Sequence, residues 1–117
     1  MNLKLLIISI ATVLTQATDI QKDGNVYEPN SENFSDLLKK HEYVLVDFFA
    51  PWCGHCQRLE PHFKRAANNL AKRIKRKKFV MAKVNCDERL NLKSRYEYLI
   101  KGFPTILWFN GLRQNPL

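Results

Sequence analysis

The chain has 117 residues, of which 45% are apolar and 26% charged, and its formal charge is +8 at pH 7. That length and composition describe one globular domain with a modest core and leave no room for a second domain. The surplus of cations bears on solubility and on attraction to acidic surfaces, and excludes no fold.

At the start, Asn2 and Lys4 precede an apolar run, Leu5 to Leu14, broken only by Ser9 and Thr12. Thr15 and Ala17 then place small residues at the two positions a signal peptidase reads. This is the layout of a secretory signal peptide over 1–17, cleaved after Ala17. The run is shorter than the roughly 20 residues of a membrane span, so no span is expected after cleavage. The competing reading is a buried N-terminal core helix. A secreted chain enters an oxidising compartment, where disulfides persist.

Residues 18–25 are polar and are expected to form a loose, flexible N-terminal segment, with the domain occupying 26–117. Val26-Tyr27-Glu28 reads as a short edge strand ended by Pro29. Ser31 or Asn33 then caps a helix over about 32–41, with Phe34, Leu37 and Leu38 at helical spacing. Asn33-Phe34-Ser35 is also a glycosylation sequon. Tyr43 to Ala50 is a near-continuous apolar run without alternation, the pattern of a strand buried on both faces.

From about Cys53 to Lys72 the pattern is helical, with Leu59, Phe63, Ala66, Ala67 and Leu70 on one face and Pro61 expected to kink it. The basic run Lys72 to Lys78 reads as a solvated helix end whose cations complement the helix dipole, not as a nucleic-acid site. It still attracts acidic substrates. Phe79 to Val84 is a second buried strand. A helix follows over about 88–98 and is stopped by Gly102. Thr105 to Phe109 is a third strong strand, and Asn110-Gly111 is a hairpin turn pair with no partner strand expected after it. The alternation predicts an α/β fold, a sheet with helices on both faces.

Three cysteines are present: Cys53, Cys56 and Cys86. A zinc site needs a second Cys pair or a spaced His pair, and His41, His55 and His62 do not supply one, so no metal is expected. Trp52-Cys53-Gly54-His55-Cys56 lies where the central strand ends and a helix begins. A helix N-terminus carries free N–H groups and about half a positive charge, and both favour a thiolate at Cys53. A protonated His55 pushes the same way. Gly54 leaves room for an approaching chain, and Cys56, one turn in, is the more buried, resolving thiol. A purely structural disulfide remains an alternative, although so small a loop constrains little of the unfolded chain. Cys86 reads as a buried thiol. Asp47 and Lys83 each interrupt an apolar strand, and a buried charge must be paired or shift its pKa. The alternative for Asp47 is a strand with one solvent-facing acid.

The run Asp47 to Cys56, followed by Leu59 and Pro61, closely resembles the catalytic domains of protein disulfide isomerases, which have a thioredoxin-like fold with a central mixed sheet. Gly102-Phe103-Pro104-Thr105 resembles the family's cis-proline loop. The resemblance implies that Cys53 forms mixed disulfides with substrate and that Cys56 resolves them, through a redox-active Cys53–Cys56 disulfide. It implies that Asp47 and Lys83 are a buried acid and lysine beneath the site, the acid moving the proton of Cys56. Trp52, Gly54, Phe103, Pro104 and Thr105 become the substrate-binding set.

The resemblance further implies unfolded or misfolded secretory polypeptides as substrates, an oxidase or glutathione as redox partner, no cofactor, and the endoplasmic reticulum lumen or the exterior as location. Two departures stand out. Leu99 replaces a glycine, and the chain is read as C-terminally incomplete, lacking the family's final strand and helix. A polypeptide-binding module without turnover, and a cytosolic thioredoxin-like reductase, are the other readings.

Overall fold

The computed structural model describes residues 19–75 and 78–115. The leader assigned to 1–17 and the centre of the basic run, Arg76-Lys77, lie outside them. A single mixed sheet contains β1 (Gln21–Asp23), β2 (Val26–Glu28), β3 (Tyr43–Phe49), β4 (Phe79–Asn85), β5 (Thr105–Asn110) and β6 (Arg113–Asn115), in the order β1-β2-β4-β3-β5-β6. The helices are α1 (Phe34–Lys40), α2 (Gly54–Arg73) and α3 (Leu92–Glu97), the last preceded by a 3-10 turn at Arg89–Asn91.

The β3 strand lies inside the sheet, parallel to β4 and antiparallel to β5. Its alternate residues serve two cores, which is why its sequence shows no polar face. Val44, Val46 and Phe48 pack with Phe34, Leu37 and Leu38 of α1 and with Ile100 and Phe109. Leu45 packs on the opposite side, where Phe63 and Ala67 of α2 meet Val26 and Met81. Each large side chain so buried contributes about 1.5–3 kcal/mol. Asp47, two residues beyond Leu45, therefore belongs to the α2 side. The β3–β4 register sets it opposite Lys83, as Leu45 is set opposite Met81.

Three expectations need correction. The segment 18–25 is not loose throughout, because Gln21–Asp23 pairs antiparallel with β2. The turn between them, Gly24-Asn25, opens on a glycine at φ 61, a conformation that glycine adopts without steric cost. The hairpin after β5 does have a partner strand, β6, and so the final strand is not missing. Its turn residues are Gly111 and Leu112, one place beyond the pair read from the sequence, with Gly111 at φ 58. Finally, Asn33 precedes α1 but does not cap it with its side chain, which instead accepts the Asn30 N–H at 2.8 Å.

The helix expected over 88–98 is shorter and ends in a defined way. Ile100 N–H bonds the Arg95 carbonyl and Leu99 N–H bonds that of Tyr96, the paired bonds of a Schellman stop. Leu99 stands at φ 53 where the resemblance calls for glycine. The α2 helix continues through Pro61.

Candidate active site

Cys53 is the cap residue of α2. Its backbone is extended, at φ −80 and ψ 117, and its sulfur accepts the Cys56 N–H at 3.2 Å. Oxygen usually fills this position, because a helix start has N–H groups with no partner of their own. Here sulfur takes that role, so the N–H groups that would hold a capping oxygen favour a thiolate. The Cys56 thiol does most to hold Cys53 below the ordinary thiol range; burial opposes it, the backbone N–H groups of Cys56 and His55 add to it, and the charge of Asp47 works against it. Cys56 behaves in the opposite way. Burial, then its hydrogen bond to Cys53, pushes it up to about 11. Both are free thiols, so the disulfide expected between them is open and the structure is that of the reduced pair.

His55 lies in the first turn of α2. Its side chain is exposed, with Nδ1 2.8 Å from an Arg58 guanidinium nitrogen. Arginine only donates, so Nδ1 accepts and the ring proton sits on Nε2 in this geometry. The backbone N–H of His55 is one of the groups that favour the Cys53 anion. Arg58 lies one turn further along the helix, and the i, i+3 spacing is the signal that points to it.

The loop before β5 faces Cys53. Phe103–Pro104 is cis, and the Phe103 carbonyl oxygen accepts from the Cys53 sulfur at 3.5 Å. Thr105 Oγ1 donates to the Gly102 carbonyl at 2.6 Å and closes the loop on itself. Phe103 meets Trp52 edge-on at 5.8 Å, and the Arg95 guanidinium lies 5.3 Å from the Phe103 ring centre. Trp52 is 67% exposed. A Cβ added to Gly54 would make only an ordinary contact with Arg58, so the fold itself does not require glycine there. Phe103 is thus brought against Cys53, Trp52 and Gly54 flank Cys53 in the chain, and Pro104 and Thr105 continue the loop from Phe103.

Beneath the pair, Asp47 is buried, and its Oδ1 has no hydrogen-bond partner among the described residues. Burial raises its carboxyl to about 6; Lys83 works against this and Glu60 with it. Asp47, Cys56, Glu60 and Lys83 line one cleft with room of about 40 Å³, more than the ~10–15 Å³ that one water needs. Such a cleft can carry a proton between Asp47 and Cys56.

Lys83 is buried in the same cleft, with its charge turned toward other carboxylates. Although it is opposite Asp47 in the sheet register, its ammonium bonds Asp23 at 2.9 Å, Glu28 at 3.1 Å and Glu60 at 3.3 Å. Burial opposes the charge, but these carboxylates outweigh it and hold Lys83 above its ordinary range. Asp23 also bonds Lys64 at 2.8 Å, and the two lysines bring its carboxyl down to about 2. The sequence reading did not single out Asp23, Glu28 or Glu60. The overlooked signal for Asp23 is the Gly24-Asn25 hairpin pair, which folds β1 back beside β2. Cys86 is fully buried, and burial pushes its thiol up to about 11, which suits an inert thiol.

Fold and site together define a class of protein, the thioredoxin-like domain with a cysteine pair at the start of its long helix beneath a cis-proline loop. The thioredoxin family model matches residues 25–115, and the chain belongs to that family. It is 45% identical over 91 residues to protein disulfide-isomerase like 2-2 of Arabidopsis thaliana, covering 77% of this chain and 19% of that one. It is 38% identical over 97 residues to a protein disulfide-isomerase of Ricinus communis, covering 83% and 19%. The chain thus spans about a fifth of the length of these curated relatives. Its fold matches the first thioredoxin domain of mouse protein disulfide-isomerase A4 with a TM-score of 0.76 at 22% identity, over 88% of this chain and 71% of that one.

Proposed function

We propose that this domain forms and rearranges disulfides in unfolded or misfolded polypeptides of the secretory pathway, in the endoplasmic reticulum lumen or after secretion. The observation that carries the reading is the split pair: a cap-position sulfur favoured as anion, beside a buried thiol that sits over an acid with raised pKa. In the oxidising direction a substrate thiolate attacks the Cys53 sulfur of the Cys53–Cys56 disulfide. That bond breaks, Cys56 leaves with the electron pair and takes a proton, and Cys53 is joined to substrate. A second substrate thiolate then attacks the substrate sulfur, forming the substrate disulfide and expelling Cys53 as thiolate. The domain ends two electrons richer, and an oxidase or glutathione disulfide takes them up.

In the isomerising direction the Cys53 thiolate attacks a wrong substrate disulfide. Cys56 resolves the adduct if the substrate does not rearrange. Cys56 must lose its proton to do so, and the Asp47 carboxylate, with its raised pKa, suits that transfer. Trp52, Phe103 and the Pro104 loop hold the substrate chain, with Gly54 leaving it room to approach.

Refolding of scrambled ribonuclease in a glutathione buffer tests the chemistry. Wild type is expected to accelerate reactivation and Cys53→Ser to fail. Equal performance favours the second reading, a polypeptide-binding surface without turnover, which the exposed Trp52 ring beside Phe103 supports. Translation in the presence of microsomes tests the compartment: import with cleavage after Ala17 is expected, and an uncleaved chain left outside overturns it.

A further inference from the structure

Lys83 and Asp47 face each other across β3 and β4, yet the ammonium is bonded to three other carboxylates and the acid is left with an unpartnered oxygen. We propose that Asp23 is a positioning residue for the buried acid: with Glu28 and Glu60, it holds the Lys83 ammonium away from Asp47 and keeps that carboxyl able to take up and release a proton beneath Cys56. The proposal rests on the reading of Asp47 as the proton carrier of the site.

The geometry is specific. Asp23 is the last residue of β1, and the Gly24-Asn25 turn sets it beside Val26 at the edge of the sheet. From there one oxygen bonds Lys83 and the other bonds Lys64 of α2, so the carboxylate is held at both oxygens. Lys83 is almost fully buried and has a flexible four-carbon stem, so its charge goes where the strongest carboxylate partners are. If it turned to Asp47, the pair would hold the acid ionised, and a carboxylate locked in an ion pair is a poor proton acceptor. The charged and titratable groups around Asp47 are Lys83 from β4, Glu60 and Cys56 from α2, Cys53 at the cap of α2 and Cys86 just past β4, while its partner on β5 is the uncharged Ile106. Around Lys83 they are Asp23 from β1, Glu28 from β2 and Glu60 from α2, with the Phe49 ring 6.0 Å away.

The test reads the Asp47 carboxyl directly by carbon-13 NMR titration of the reduced full chain, in wild type, Asp23→Asn, Lys83→Met and the double variant. Asp23→Asn frees the cation toward Asp47, so the Asp47 midpoint is expected to fall by about one pH unit. Lys83→Met removes the cation, so the midpoint rises above that of wild type. In the double variant Asp23→Asn adds nothing, because there is no cation left to release. Asp23→Glu restores a carboxylate and with it the wild-type midpoint.

The acid limb of the refolding rate is expected to move with the carboxyl. An unchanged midpoint in Asp23→Asn overturns the proposal, as does an equal fall in the Lys83→Met background. Should Asp23→Asn not fold, Glu28→Gln must lower the midpoint in the same direction, and no change there is equally fatal. Failure of the underlying reading looks different. Asp47→Asn would then turn over like wild type, while the carboxyl shifts still report on Asp23.

Discussion

The sulfur of Cys53 lies 3.5 Å from the carbonyl oxygen of Phe103, fifty residues away along the chain. A helix start and a cis-proline loop, each defined locally, become one site only because β3 and β5 pair antiparallel, with Phe48 opposite Thr105. The rim that results has an acidic sulfur, an exposed indole and a closed loop within reach of one extended chain.

Cys53 is expected to alkylate well ahead of Cys56 at pH 7, since one thiol is held below and the other pushed above the ordinary range. Cys56→Ala removes the strongest donor to the Cys53 anion. The Cys53 midpoint should therefore rise toward the ~8.5 of a free thiol. The pH dependence of iodoacetamide labelling, followed by mass spectrometry, measures it; a midpoint unmoved by the substitution would show that the helix start acts alone.

Asp47 should cost stability at neutral pH. Its folded pKa of about 6 lies above the 3.8 of an ordinary aspartate. The ionised form is thus disfavoured in the folded chain, with no penalty below pH 4, a growing one between 4 and 6, and the full penalty above. At about 1.4 kcal/mol per pKa unit, Asp47→Asn should stabilise the chain by about 2–3 kcal/mol at pH 8 and by nothing at pH 3.5. Urea unfolding at the two pH values checks this, and an equal gain at both would dismiss the ionisation argument.

Leu99 is a leucine in left-handed backbone at the stop of α3, with 75% of its surface exposed. Little packing is lost on removing the side chain, and the steric cost of that conformation disappears. After allowing for the greater freedom of glycine in the unfolded chain, Leu99→Gly should stabilise by about 0.5–1 kcal/mol. A lowered melting temperature would mean that the leucine makes a contact worth more than its strain.

Trp52→Ala should leave stability within about 0.5 kcal/mol, because the ring is largely in solvent. It should raise KM for an unfolded substrate more than it lowers kcat, as expected where a contact contributes equally to ground state and transition state. A fall in kcat at constant KM would place Trp52 in the chemistry instead.

Much of the site was legible because its parts are local. A strand of β-branched and aromatic residues running into Pro51, followed by helical spacing from Cys53, puts sulfur at a helix start whatever surrounds it. Leu99 as a glycine substitute and the loop around Pro104 were legible only through the resemblance to protein disulfide isomerases. The Arg58 partner of the His55 imidazole was not legible, because the direction of the ring nitrogens depends on side-chain geometry. The short strands β1 and β6 were passed over because three residues carry too little periodicity, and only pairing with a neighbour makes them strands.

The order of hydrophobic runs and the cysteine spacing, by themselves, determined an α/β domain with two thiols at the head of its long helix. Local propensity and the free N–H groups of a helix start act over a few residues and need no knowledge of the rest. Only the tertiary structure decided where the buried charges go. Asp23 and Lys83 are 60 residues apart and meet because a glycine turn folds β1 onto the sheet edge. A lysine among several carboxylates chooses by distance and burial, and neither quantity exists until the chain is folded.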